Sequence, residues 1–372
     1  MILDKKICGA EITILIPTLN RHRFLNRTLR YYESMSFKGK ILIGDSSRDM
    51  EADRNRDIVA RYNKNLDIDL IECPAPVKTT KVDWIGFAGD AIATKQLLSL
   101  VNTKYATFCG DDDFLIPSVL TDCARHLEEF DDYVAVCGQR VEFGIKDDRV
   151  MGDITWANLV EHTKLNAQTA VSRWSAYSAR AISPIYSVMR VGDWLNAYKH
   201  VEKVPMRYIG SEFLPSSIIS ISGKMGYIDR LMIMHQHHED RIVDWNKVNF
   251  YSMLMHAEWS NSVYNLRNIL ASAIAEKDMI EFEKAEGEFD KGFWRHFSAH
   301  LASQYDSVYQ NNQGYNPSLI LTLASFIRGL RNKATSTNKS SDFNLLESLL
   351  KPSHSYNQDF MPVYDLIIKT DD

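Results

Sequence analysis

The sequence predicts an α/β protein with a mostly parallel central sheet flanked by helices and with a helical C-terminal region. Apolar runs of strand length at 11–16, 40–44 and 104–108 alternate with segments of helical periodicity. Such alternation is typical of parallel strands joined by helical crossovers. After about residue 246 the strand patterns fade and helical patterns take over. We therefore predict one large domain over residues 1–245 and a helical region over residues 246–372.

Each element has a local signal. The continuous apolar run 11–16 predicts a buried strand. In the helix that follows, apolar residues recur at helical spacing, at Phe24, Leu25, Leu29 and Tyr32. Further elements are predicted as strands at 40–44, 104–108 and 133–139, and as helices at 89–100 and 118–130.

Composition and charge narrow the class of protein. The chain has 372 residues, 45% of them hydrophobic and 24% charged, which is ample for one large α/β domain with an appendage. A net charge of −5 and a pI near 6.1 argue against a nucleic-acid binder. The five cysteines are odd in number and lack framework spacing, so we expect reduced thiols. Without a secretory segment or a long apolar window, a soluble cytoplasmic protein is expected.

Three consecutive carboxylates, Asp111, Asp112 and Asp113, follow the strand at 104–108. Like charges about 4 Å apart repel by roughly 1 kcal/mol even in water, so a bound divalent cation would relieve the cluster. Aspartate oxygens suit Mg²⁺ or Mn²⁺, and Mg²⁺ sites usually combine carboxylates with substrate phosphates. The alternative that the sequence leaves open is an acidic turn or a helix N-cap.

Polar residues also end the two preceding strands. Pro17–Arg21 follow the first strand, and Asp45, Ser46 and Ser47 follow the second. In an open α/β sheet the ligand crevice lies at the carboxyl ends of the strands, so Asn20 and Arg21 are expected to face it. The segment 45–47 could equally form a simple turn.

The order of these three motifs resembles that of GT-A glycosyltransferases, and more narrowly of the glycosyltransferase family 2 group. The motifs are Ile-Pro-Thr-Leu-Asn-Arg at 16–21, Gly-Asp-Ser-Ser at 44–47 and Gly-Asp-Asp-Asp at 110–113, and the resemblance covers about the first two-thirds of the chain. It implies a Rossmann-like GT-A fold with a nucleotide-binding half at 1–115 and an acceptor-facing half at 116–245. It also implies a UDP-sugar donor, a glycan or lipid-linked acceptor in surface polysaccharide synthesis, and Mn²⁺ or Mg²⁺ as cofactor.

The resemblance also implies roles for individual residues. Donor nucleotide contacts are expected from the strand-end residues Pro17, Thr18, Asn20, Arg21, Asp45 and Ser46, with Asp45 accepting from the base. Asp111 would meet the ribose, and Asp113 would bind the metal that bridges the diphosphate. Asp112 would support the metal or face the acceptor. Leu19 stands where an aromatic residue is commoner in the family, which weakens a role in base stacking.

Transfer to a hydroxyl needs a base within hydrogen-bond reach of the proton that is removed. The segment 208–214 resembles the family's Gly-Glu-Asp stretch, although Ser211, Glu212 and Phe213 depart from it. The resemblance also implies a Gly-Tyr turn at 226–227 that leads into a last strand. Glu212 is therefore the predicted catalytic base of an inverting reaction. The alternative role for Glu212 is an acid that stabilises the first turn of a helix.

Three histidines follow the Gly-Tyr pair. In an extended strand His235 and His237 share one face while His238 points to the other, so only one of the two sets is expected to line the crevice. His237 is predicted as a second metal ligand. Two further cations, Lys95 and Arg241, are predicted to contact the donor.

The helical pattern at 318–333 carries a basic end. It could lie on an anionic membrane surface, which would place the protein peripherally at the inner face of the membrane, or it could pack as a core or subunit-contact helix of a homo-oligomer.

Two other functions stay open. A Mg²⁺-dependent sugar nucleotidyltransferase would also use acidic residues, although 17–21 is not the glycine-rich basic phosphate loop of such enzymes. An inactive nucleotide-sugar-binding relative is compatible with the altered segment 211–213.

Overall fold

Nine strands form one mixed sheet with helices on both faces in the computed structural model, which describes residues 11–74, 89–162, 164–180, 183–239, 250–311 and 345–369. The predicted α/β class is confirmed. The strand order is β3-β2-β1-β4-β8-β6-β9-β5, and β7 pairs with β6 outside this path.

The first half of the sheet is parallel. It consists of β1 (Ile12–Thr18), β2 (Lys40–Asp45), β3 (Asp67–Glu72) and β4 (Tyr105–Phe108), connected through α1 (His22–Ser34), α2 (Asp49–Tyr62) and α3 (Gly89–Leu98). β1 is almost wholly buried because helices cover both faces of the sheet, which explains its continuous apolar run. Parallel pairing brings the carboxyl ends of β1, β2 and β4 to the same end of the sheet. We call this row of strand ends the carboxyl edge.

The second half of the sheet contains the antiparallel pairings. Its strands are β5 (Phe114–Leu115), β6 (Tyr133–Ile145), β7 (Ile154–Val160), β8 (Val188–Arg190) and β9 (Lys224–His237). β8 pairs antiparallel with both β4 and β6, whereas β6 and β9 are parallel. The turn predicted at 226–227 is wrong, because β9 runs straight through it. Gly226 serves a close approach instead: a Cβ there would lie 2.9 Å from the His126 ring.

Helices complete the second half and the C-terminal region. They are α4 (Pro117–Glu129), α5 (Ala170–Arg180), α6 (Val191–Tyr198), a π-helical turn (Tyr208–Phe213), α7 (Leu214–Ser222), α8 (Phe250–Leu254), α9 (Trp259–Asp278), α10 (Phe282–Asn311) and α11 (Asn357–Ile368). Within the described ranges, no helix has the length and apolar character needed to cross a membrane.

The C-terminal helices are integrated with the sheet. α11 shares a core with α1, α2 and α4 on one face, while α9 and α10 share the other core with α3 and α5–α7. An ion pair joins Arg230 of β9 to Asp359 of α11. Cys73, Cys109, Cys123 and Cys137 are buried free thiols, as expected for these four residues. Apolar side chains therefore cover much of both faces of the sheet.

A buried arginine ties α1 to the second half of the sheet. The Arg27 guanidinium donates to the backbone carbonyls of Val150 at 2.6 Å and Asp112 at 2.7 Å, and to the Gln236 side chain at 2.5 Å. It also lies against the ring of Phe114, 4.7 Å from its centroid. Burial lowers the pKa of Arg27 to about 10, although nearby aspartates oppose the shift.

We predict that Arg27→Met lowers the free energy of unfolding by at least about 3 kcal/mol, because it removes a buried charge and leaves its acceptors unpaired. Urea denaturation measures the loss. Arg23→Met, at an exposed position on the same helix, is the matched control and should change stability by less than about 0.5 kcal/mol. Equal stability losses in the two variants would contradict this account of Arg27.

A buried histidine makes the helical region sensitive to acid. His296 of α10 contacts the Tyr208 hydroxyl and stacks on Phe213 with ring centroids 5.0 Å apart. Burial, together with His300, lowers the pKa of His296 to about 3. Between this value and the unfolded value near 6.5, the unfolded chain binds the extra proton, so stability falls as the pH drops.

We predict that wild type loses about 1.4 kcal/mol more stability per pH unit than His296→Gln between pH 6 and 4. Urea midpoints across this range measure the difference. Tyr208→Phe removes the hydroxyl partner but keeps the imidazole, so it should retain the wild-type pH slope. If the stability of His296→Gln depends on pH as steeply as that of wild type, this account of His296 is contradicted.

Candidate active site

The acidic triplet Asp111–Asp113 lies in a tight turn at the carboxyl edge, between β4 and β5. The Asp113 N–H donates to the Gly110 carbonyl at 3.2 Å. A Cβ at position 110 would lie 2.6 Å from a carboxylate oxygen of Asp112, so a larger residue there would displace that side chain. α4 begins at Pro117, after the triplet, and the helix N-cap alternative therefore does not apply.

Arg21 joins the first motif to the triplet. Its guanidinium donates to Asp111 Oδ1 and to Asp112 Oδ2, each at 2.8 Å. The Thr18 hydroxyl donates to the other oxygen of Asp111 at 2.6 Å. Asn20 adopts a left-handed conformation, with φ of 57°, and its N–H donates to Ser47 Oγ at 2.7 Å. The structure thus brings the three strand-end motifs together.

All three histidines after the Gly-Tyr pair contact carboxylates. His235 Nδ1 lies 2.9 Å from both oxygens of Asp113, and His238 Nε2 lies 2.9 Å from Asp112 Oδ2. The expectation that only one strand face reaches the crevice is wrong, because β9 ends at His237 and the alternation of side chains ends with it. The third histidine, His237, reaches a different carboxylate on β6.

The triplet is balanced by cations of the protein itself. Arg21 bonds two of the carboxylates, and the buried Arg27 lies close enough for its charge to interact with all three. Imidazoles of His235 and His238 add further hydrogen bonds. A bound metal ion is therefore not the sole means of relieving the repulsion expected from the sequence, since α1 and β9 supply partners to the carboxylates.

Asp111 and Asp112 differ in acidity. Burial, together with the charge of Asp112, raises the pKa of Asp111 to about 7, although Arg21 opposes the shift. Burial also acts to raise the pKa of Asp112, but the hydrogen bond from His238 and the charge of Arg21 outweigh it and hold that pKa well below its usual range. Near neutral pH the Asp112 carboxylate is therefore charged, whereas Asp111 is partly protonated.

Asp113 is enclosed. Its side chain is 0% exposed, and besides His235 it accepts from the Tyr186 hydroxyl at 3.0 Å and the Gln236 N–H at 3.2 Å. The role of direct metal ligand stays a prediction for this residue. Its present contacts are those of a carboxylate that fixes a neighbouring imidazole.

Asp45 lies at the end of β2 and forms a turn. Its carboxylate accepts from the Ser47 N–H at 2.8 Å and from the Asn55 amide at 3.0 Å. The Ser46 N–H donates to the Thr18 carbonyl at 3.0 Å, and Pro17 lies half-buried within β1. The turn is the alternative that the sequence left open, and the contacts to a nucleotide base stay a prediction.

The remaining predicted residues lie on other segments. Lys95 forms an exposed ion pair with Glu202. Glu212 is half-buried in the π-helical turn, where its charge adds to burial in raising the pKa of Tyr177. Arg241 and the segment 318–333 lie outside the described residues.

The sequence analysis missed Glu142 of β6. Its Oε1 accepts from Arg140 at 2.8 Å, and its Oε2 lies 3.0 Å from His237 Nε2. Burial acts to raise the pKa of Glu142, but His237 and Arg140 lower it to about 2, so the carboxylate is charged at neutral pH. Charged residues at alternate positions of the otherwise apolar run 133–145 were the available signal.

A basic cleft of about 800 Å³ adjoins the site. It lies between α1, α2 and the segment 147–151, and it shares Arg27 with the site. Its charged lining comprises the arginines Arg23, Arg27, Arg30, Arg54, Arg61 and Arg149 and the aspartates Asp57, Asp147 and Asp148. A locally positive surface therefore exists on a chain whose net charge is −5.

No known family model matches the sequence, and no curated protein matches it. Among solved structures, the chain is similar to TarS 1–349 of S. aureus in complex with UDP-GlcNAc, at 15% identity and a TM-score of 0.49, over 77% of this chain and 72% of the other. Mannosyltransferase PcManGT of Pyrobaculum calidifontis, in complex with GDP-Man and Mn²⁺, matches at 11% identity and a TM-score of 0.42, over 86% of this chain and 80% of that one.

Glucosyl-3-phosphoglycerate synthase of Mycobacterium tuberculosis, in complex with Mn²⁺, UDP and glucosyl-3-phosphoglycerate, matches at 10% identity and a TM-score of 0.33, over 73% of this chain and 80% of that one. These similarities concern the fold and extend over most of the chain.

Proposed function

We propose that the chain is a GT-A glycosyltransferase that moves a sugar from a nucleoside diphosphate donor, a UDP-sugar, to a hydroxyl of a glycan or lipid-linked acceptor in surface polysaccharide synthesis. One observation carries the proposal: Arg21 hydrogen-bonds to both Asp111 and Asp112 at the carboxyl edge. Motifs about 90 residues apart, which resemble those of family 2 enzymes, therefore form one site where α/β sheets bind their ligands.

The chemistry of the site suits a nucleoside diphosphate. The planar guanidinium of Arg21 is the group best matched to phosphate oxygens, and its side chain is 11% exposed at the rim of the cluster. Asp111, which gains a proton near neutral pH, can exchange its internal hydrogen bonds for those of a ribose hydroxyl. Thr18 and Asn20 stay next to this pair as predicted nucleotide contacts.

The proposed reaction is a single displacement. An acceptor hydroxyl attacks the anomeric carbon, the new carbon–oxygen bond forms, and the bond from that carbon to the diphosphate breaks with its electron pair. The acceptor proton passes to Glu212, and the anomeric configuration inverts. Glu212 lies in a π-helical turn, a feature frequent at functional sites.

A divalent cation, Mn²⁺ or Mg²⁺, would offset the charge that develops on the departing diphosphate. The described residues contain donor groups that fit one. The triplet would supply carboxylates, and a second group beside it combines Glu142 of β6 with His235 and His237 of β9. His237, a predicted ligand, belongs to the second group.

We predict that the purified chain releases free nucleoside diphosphate from a UDP-sugar in the presence of Mn²⁺ and acceptor. Glu212→Gln should lower kcat by about 10²–10⁴-fold, because it removes the general base, while the donor KM stays within about twofold. A coupled assay for nucleoside diphosphate measures both constants.

Glu283→Gln, an exposed carboxylate on α10, is the control and should keep wild-type kinetics. Release of pyrophosphate would identify a nucleotidyltransferase instead. Donor binding without turnover across a panel of nucleotide sugars and acceptors would identify a binding protein.

A further inference from the structure

Two strands bring a carboxylate and two imidazoles to one face of the sheet. β6 and β9 pair in parallel register, with Glu142 opposite His235 and Gly144 opposite His237. Because side chains alternate along a strand, His235 and His237 share a face, and Glu142 lies beside them. One ligand atom from each of the three lies within 4.8 Å of the others.

We propose that Glu142, His235 and His237 hold a divalent transition-metal ion. Two imidazole nitrogens and one carboxylate oxygen suit Mn²⁺, Fe²⁺, Co²⁺ or Zn²⁺ better than Mg²⁺, which prefers oxygen donors. Three protein ligands on one side of the ion leave coordination positions open for water or for substrate oxygens.

The surroundings of His235 are those of a metal ligand. Its Nδ1 lies 2.9 Å from the enclosed carboxylate of Asp113, which makes Nε2 the nitrogen that a metal would take. A carboxylate on the far side of a metal-binding imidazole fixes the ring and raises its basicity. Asp113 is itself fixed by Tyr186 and by the backbone of Gln236. Asp113 is thus a positioning residue in this arrangement.

The other two ligands are oriented and accessible. Arg140 holds Glu142 Oε1, which leaves Oε2 turned toward His237 at 3.0 Å. The Trp156 ring packs edge-on against His237, with centroids 5.3 Å apart. The side chains of Glu142 and His237 are 21% and 34% exposed, so an ion can enter from solvent.

This inference rests on the proposed function for its role in catalysis, but the metal site itself stands on geometry. His235 and Asp113 connect it directly to the triplet, so the ion would lie beside the bound diphosphate. It also differs from the site that the resemblance implies, in which Asp113 binds the metal directly. Glu142 separates the two arrangements, because only the proposed site uses it.

The test titrates chelator-treated, full-length protein with Mn²⁺ alone, without nucleotide, and follows the loss of the free-ion signal by electron paramagnetic resonance. Wild type should bind one ion, and Co²⁺ should give visible absorption bands typical of mixed nitrogen and oxygen ligands. Glu142→Gln and His237→Gln should each raise the Mn²⁺ Kd by about 100-fold or more. Asp113→Asn, which keeps an acceptor for His235, should raise it only about 10-fold.

His354→Gln, in the C-terminal segment, is the matched control and should bind Mn²⁺ as wild type does. Thermal unfolding of each metal-free variant checks its folding, and His237→Gln is the most informative because this side chain is half-exposed. The inference is overturned if wild type binds no ion, or if Asp113→Asn abolishes binding while Glu142→Gln binds normally. Metal binding without turnover of any donor would instead count against the proposed function alone.

Discussion

The buried contact of one guanidinium with two adjacent carboxylates is the constraint on which the site depends. Arg21 bonds Asp111 and Asp112 at 2.8 Å each, and the three groups come from the ends of two neighbouring parallel strands. Buried charges are tolerated only when paired, so the contact requires correct packing of β1 against β4. His238 can reach Asp112 only if β9 also ends at this edge. The contacts of the site therefore depend on the topology of the sheet.

Much of this arrangement follows from local sequence signals. The apolar run that becomes β1, the helical spacing of Leu25 and Leu29, and the polar residues at strand ends predicted the parallel half of the sheet and its carboxyl edge. The strands of the antiparallel half were harder to predict from the sequence. A strand as short as β8, with three residues, leaves no periodicity to detect, and Gly226 indicated a turn although it serves a close contact.

Partners that are distant in sequence explain what could not be predicted. Arg27 is one of several charged residues on α1, and only the tertiary fold shows that it is buried beneath the triplet. Glu142 becomes a candidate ligand only through its register with His235. The basic cleft has the same origin, since its arginines come from α1, α2 and Arg149. Net charge and motif spacing contain none of this information.

The most direct test of the central claim is anomalous diffraction at the manganese edge from crystals grown with UDP and Mn²⁺. The account predicts a diphosphate in contact with Arg21 and a manganese peak within coordination distance of Glu142, His235 and His237. A nucleotide bound away from Arg21 would contradict the account. A manganese ion bound directly to Asp113, without contact to Glu142, would also contradict it.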